Sequence, residues 1–162
     1  MILCDSSLRA LLPQLVKEPD YSLVNPASVD LRVGDELLLE TGSEIWRHIP
    51  LSNSTGSFSL KCGEFALLRT EEHLMVPNGY AVEIRLKSTA ARKGYTQALA
   101  AWFDPGWSGV GTLEITNGTK YHWLPLYRGM RIAQFVVHVM DGPAERVYQG
   151  KYNHATTVEA AK

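Results

Sequence analysis

Short runs of β-favouring residues, each closed by a Gly, Pro or Asn signal, follow one another along most of this chain and constrain its fold more than any other feature. They fall at 58–60, 65–69, 80–86, 112–116, 121–124 and 132–139, punctuated by Gly63, Pro77-Asn78-Gly79, Asn117-Gly118 and Arg128-Gly129. A chain of many short strands must close or stack its sheet to bury one face, which predicts a mostly β barrel or sandwich. Upstream, Val29, Leu31 and Val33 alternate with Asp30 and Arg32, and Gly34-Asp35 precedes Leu37 to Leu39, which reads as strand, tight turn, strand. Only the N-terminus has helical spacing. Leu8, Leu11, Leu12, Leu15 and Val16 predict one short helix capped by Asp5 or Ser6 and kept short by Pro13. The polar stretch 42–56 reads as a surface loop with a little strand in it.

With 162 residues, 45% of them hydrophobic, the chain suffices for one domain spanning 1–162 with its own core. A net charge of −1 gives no field to hold a polyanion, so the expected partner is a small molecule and not nucleic acid. Cys4 and Cys62 lie far apart, which provides neither a disulfide framework nor a metal knuckle and fits a reducing, cytoplasmic setting. The start Met-Ile-Leu-Cys-Asp lacks a basic region and a cleavage site, and no apolar run approaches the roughly 20 residues that span a bilayer. The expectation is therefore neither secretion nor membrane insertion. His48, His73, His122, His138 and His154 are scattered without ligand spacing, so no metal cage is predicted. Trp46, Trp123, Phe65, Phe135 and the apolar run 132–139 read as core or subunit contact.

Three segments carry chemistry. A strand over 80–86 runs into Lys87-Ser88-Thr89, and Ala90 to Lys93 form a helical turn closed by Gly94. Free N–H groups, hydroxyls and the charges of Lys87 and Arg92 then face either solvent or phosphate oxygens. Asp104-Pro-Gly-Trp-Ser-Gly109 is a turn between β segments with Trp107 as apolar anchor, and its carboxylate serves either the turn itself or a sugar hydroxyl. Strand alternation places Thr112, Glu114 and Thr116 on one face and Leu113 and Ile115 on the other, so Glu114 is either solvent-facing or lines a cleft.

Taken in order, these segments resemble the dCTP deaminase branch of the dUTPase superfamily. Asn25-Pro-Ala-Ser-Val-Asp-Leu-Arg-Val-Gly34 is similar to that family's first motif, followed by Cys62-Gly-Glu-Phe-Ala-Leu67 and Val76-Pro77. Lys87-Ser-Thr-Ala-Ala-Arg92 resembles its nucleotide segment, usually Arg-Ser-Ser-Leu-x-Arg, and Phe103-Asp-Pro-Gly-Trp-Ser-Gly109 resembles another. Thr112-Leu-Glu-Ile-Thr-Asn117 and Arg128-Gly-Met-Arg-Ile-Ala-Gln134 complete the series. The resemblance implies a distorted β jelly roll with one or two short helices, a homotrimer with interfacial active sites, and deamination of dCTP to dUTP with Mg²⁺ on the triphosphate. It implies Glu114 as general acid/base, Ser88 holding the attacking water or the developing charge, and Arg92 orienting Glu114. Lys87, Thr89, Ala90 and Ala91 would lie along the nucleotide, Asp104 would take the 3′-hydroxyl, and the backbone of Thr112 and Leu113 would border the base. Tyr148, Lys151 and Tyr152 suit a phosphate-covering lid within 148–162. A zinc-type deaminase is not expected, since two isolated cysteines cannot supply its Pro-Cys-x-x-Cys pair.

The chain departs from the family pattern at particular places. Lys87 replaces an arginine, Leu99-Ala100 replaces a Thr-Ala pair, 94–104 is one residue short, and Ala155 stands where a glutamine is usual. Ala101-Trp102-Phe103-Asp104 resembles the branch that also converts dUTP to dUMP, whereas Pro105-Gly106-Trp107 resembles the deaminase-only branch. A dUTP diphosphohydrolase using Asp104, and a non-catalytic trimer that binds a nucleotide or a protein, stand as the alternatives.

Overall fold

The computed structural model describes residues 1–98 and 100–161. Helix α1, Asp5–Leu15, packs Leu8, Leu12 and Leu15 inward, and Pro13 is tolerated inside it two residues before its end. Its N-cap is Cys4, one residue before the expected start, so Asp5 falls in the first turn, where its carboxylate accepts from the Ser6 N–H at 2.8 Å. Eleven strands follow among the described residues. They are β1 (Val24–Asn25), β2 (Ser28–Gly42), β3 (Ile45–Pro50), β4 (Phe58–Leu60), β5 (Phe65–Met75) and β6 (Tyr80–Leu86), then β7 (Tyr95–Gln97), β8 (Trp102–Phe103), β9 (Ser108–Asn117), β10 (Leu124–Leu126) and β11 (Arg131–Val139). A second helix, α2 (Ser88–Lys93), sits between β6 and β7 and ends at Gly94, whose φ of 100° only glycine adopts without strain.

The strands form one curled antiparallel sheet in the order β7-β9-β5-β2-β11-β6-β8, with β1 and β3 also pairing on β2 and a separate β4–β10 pair. The mostly β class is the one the strand pattern predicts, and the barrel it points to is present as a curled half-barrel. Among the described residues no helix is long and apolar enough to cross a membrane.

The turn expected at Gly34-Asp35 is not there. β2 runs straight through it and changes partners instead, pairing Val29 to Arg32 with β11 and Leu37 to Leu39 with β3 and β5. Gly34 serves close packing: a Cβ there would lie 2.7 Å from Cγ of Arg69. Asp35 accepts from the Leu51 N–H at 2.6 Å and from Arg69 Nη1 at 3.1 Å, so its polar groups are used across strands. A strand over 121–124 is likewise absent, with β10 starting only at Leu124. The loop before it is organised by Asn117, whose Nδ2 donates to the carbonyls of Leu60 (2.9 Å) and His122 (3.0 Å) and whose Oδ1 accepts from the Thr119 N–H at 2.9 Å. Part of the 42–56 stretch is more regular than a loop, because β3 adds a full edge to β2.

Candidate active site

The alternation along β9 sends Leu113 and Ile115 into the core and turns Thr112 and Glu114 into a cavity of about 460 Å³. On the neighbouring β5, Leu67 lies opposite Glu114 and Phe65 opposite Thr116, so the floor around the carboxyl is apolar. Aromatic rings wall it: Trp46 stands edge-on to Phe65 at 5.8 Å, and Phe103 packs edge-on to the buried Trp107 at 4.4 Å. Glu114 Oε2 is buried and has no hydrogen-bond partner. Burial accordingly pushes the Glu114 carboxyl above its ordinary value, because charge is costly away from solvent, and a hydrogen bond from its own backbone N–H only partly opposes this. Among the described residues no Lys, Arg or His lines the cavity. Arg69, opposite Thr112, is turned away onto Asp35.

Asp104 is at the rim, exposed, with Oδ1 accepting from Trp102 Nε1 at 3.2 Å and its carbonyl accepting from the Trp107 N–H at 3.1 Å. The turn therefore uses its backbone and leaves most of its carboxylate available. Tyr148 also faces the cavity and opens a C-terminal tail that folds back over the same chain. The tail is fixed where the His154 N–H donates to Ser108 O at 2.6 Å and the Val110 N–H to Ala155 O at 2.9 Å. Gly109 makes this contact possible, since at its φ of 149° a Cβ would lie 2.8 Å from the Ala155 backbone nitrogen. Further along, the Glu36 carboxylate accepts from the Thr157 hydroxyl and from the Val158 N–H at 3.1 Å. Burial pushes the Glu36 carboxyl up, but these bonds and one from His48 outweigh it and hold it below its ordinary value.

The other sequence-derived candidates are placed elsewhere. Ser88, Thr89, Ala91 and Arg92 are exposed on α2 and Ala90 is buried beneath it, all outside the cavity walls. Lys87 Nζ pairs with Asp30, whose side chain is only 3% exposed and also takes Asn25 Nδ2 at 2.7 Å. Leu113 presents its side chain to the core. Lys151 is exposed beside Tyr152, with Nζ 5.1 Å from the ring centroid. Of the Leu99-Ala100 pair, Leu99 lies outside the described residues and Ala100 lines the cavity. Trp46 and Phe65, expected from the sequence as core or subunit contact, line the cavity, and so does Glu159, which lies in none of the motifs and which the tail brings to the wall. For Phe65 the signal was available, because β5 alternates so that 65 and 67 share the face opposite Glu114.

Residues 2–140 match the family model described as dCTP deaminase-like. The chain belongs to this family. It has relatives along nearly its whole length: it is 34% identical over 161 residues to the "dCTP deaminase, dUMP-forming" of Aquifex aeolicus, covering 94% of this chain and 89% of that protein. It is 29% identical to the "dCTP deaminase" of Pyrococcus furiosus over 100% of this chain and 97% of that one. Its fold is that of the 2′-deoxycytidine 5′-triphosphate deaminase of Agrobacterium tumefaciens, with a TM-score of 0.72 at 23% identity over 85% of this chain. This dCTP deaminase-like chain spans 47% of that longer one.

Proposed function

We propose that the protein hydrolytically deaminates dCTP, with Glu114 as the general acid/base and each site completed by a second copy of the chain in a homotrimer. The observation that carries this reading is the buried, unpartnered Oε2 of Glu114 at the floor of an aromatic-walled cavity. A flat pyrimidine fits between such walls, and raising the pKa of a carboxyl suits it to hand on a proton as well as to take one. Glu114 takes a proton from water as the oxygen bonds C4, and N3 is protonated. The C4–N4 bond then breaks, ammonia leaves with a proton returned through Glu114, and C4 keeps the oxygen as a carbonyl. The balance is dCTP and water to dUTP and ammonia.

A triphosphate needs cationic partners, and a cavity without Lys, Arg or His among the described residues offers none. Ser88 and Arg92, exposed on α2, are available to another copy's cavity, with Thr89 and the α2 backbone beside the phosphates and Asp104 at the sugar. Lys87, held by Asp30, serves this reading by fixing the start of α2. No group of three or more His, Cys, Asp or Glu side chains among the described residues could cage a metal. Mg²⁺ in this reading would be held by the oxygens of the substrate's triphosphate and would neutralise phosphate charge there. Incubation with dCTP and Mg²⁺ is expected to release ammonia, and an unchanged substrate would refute the reading. A second hydrolysis to dUMP and pyrophosphate is favoured by the names of the relatives, and separation of the products tells dUMP from dUTP.

Arg92→Ala gives a pH test. The base must be ionised, and burial alone holds Glu114 protonated to higher pH. A guanidinium arriving from another copy opposes that, so its removal is expected to move the acid limb of the rate profile up by about one pH unit or more. An unmoved limb would separate Arg92 from Glu114.

A further inference from the structure

We infer that Glu159 is a specificity-determining residue, a second carboxylate that the C-terminal tail carries into the cavity to accept a hydrogen bond from the amino group of the base. The inference rests on the proposed nucleotide reading and goes beyond it, because it assigns base selection to a residue outside every motif in the chain. Glu159 lines the same cavity as Glu114, and its Oε2 is buried.

Its position is built. Ala155 is bridged in parallel to Gly109, which has no Cβ to obstruct the approach, and the tail then runs to Thr157 and Val158. Both donate to Glu36, a carboxylate only 15% exposed, and Val158 is itself buried at 6% exposure. The next residue is Glu159, so its backbone is fixed on the cavity side within one step of two hydrogen bonds and an apolar anchor.

The chemistry selects an amine over a carbonyl. An ionised carboxylate only accepts hydrogen bonds, and the 4-amino group of cytosine is a donor whose pairing with Glu or Asp is a standard base-edge contact. Uracil presents an acceptor oxygen at the same position, so a carboxylate there meets it with repulsion and an unmet lone pair. Asp104, the third carboxylate of the cavity, is exposed at the rim and held by Trp102 Nε1, which leaves Glu159 as the tail's contribution to the interior. Glu36 is a positioning residue in this scheme.

Calorimetric titration of dCTP and of dUTP, each with Mg²⁺, into the full chain tests it in wild type, Glu159→Gln and Glu36→Ala. Glutamine can donate to the uracil oxygen, so Glu159→Gln is expected to weaken dCTP and strengthen dUTP, narrowing their affinity ratio by about ten- to a hundredfold. Glu36→Ala, which frees the tail, is expected to narrow the ratio in the same direction by a smaller factor. Equal changes for both nucleotides, or none in Glu159→Gln, would overturn the inference. Wild type that binds dCTP over dUTP without releasing ammonia would refute the deaminase reading alone, and a lost preference in Glu159→Gln would still support Glu159. Wild type that binds neither nucleotide would refute both.

Discussion

Glu114→Gln is expected to lower ammonia release from dCTP by about a hundred- to ten-thousandfold while the protein stays folded. Glutamine keeps the shape of the side chain and cannot pass a proton between water, N3 and the leaving nitrogen. It also has little to break, because Glu114 Oε2 has no hydrogen-bond partner and the surrounding floor is Leu67 and Phe65. Replacing a buried acid of raised pKa by a neutral amide removes an ionisation cost, so a melting temperature at or above that of wild type is expected alongside the lost rate. Near-normal turnover in a folded Glu114→Gln protein would remove the general base from this account.

Phe135→Ala is expected to cost about 3–5 kcal/mol of stability, the range for emptying a large aromatic site in a packed core. Phe135 is fully buried at 0% exposure on β11, opposite Val29 of β2 and Ile84 of β6. It therefore sits where three strands of the sheet meet. Urea unfolding should show the loss as a lower midpoint with an unchanged slope. A loss under about 1 kcal/mol would mean that the site collapses around the missing ring and that Phe135 does not hold the three strands together.

Phe135 was legible in the sequence because a run that is apolar on both faces demands cover on both. So was the facing of Glu114, since strand alternation follows from the pleat alone. The errors have physical reasons. Gly34-Asp35 carries turn residues, yet the missing Cβ makes room for Arg69 and the aspartate is used across strands, neither of which a local pattern reveals. The 121–124 run has β-favouring aromatics, but Asn117 claims the neighbouring backbone and bends it into a loop. Nor does the local pattern show that Lys87 pairs with the buried Asp30. Trp46 and Phe65 read as core or subunit contact because composition cannot distinguish an aromatic that fills space from one that borders a cavity. The tail was the least legible part, as its contacts with Glu36 and Gly109 join residues 122 and 46 positions apart in the chain.

The central claim is that Glu114 of one copy works with Ser88 and Arg92 of another. It is tested most directly by co-expressing Glu114→Gln with Arg92→Ala, each far less active alone than wild type, and assaying the mixed assemblies for ammonia release from dCTP. Random assembly places an intact Glu114 beside an intact Arg92 in about a quarter of the sites, so recovery to about a quarter of wild-type activity is predicted. Mixed assemblies that form and remain as inactive as either parent would show that the two residues do not meet across a subunit boundary.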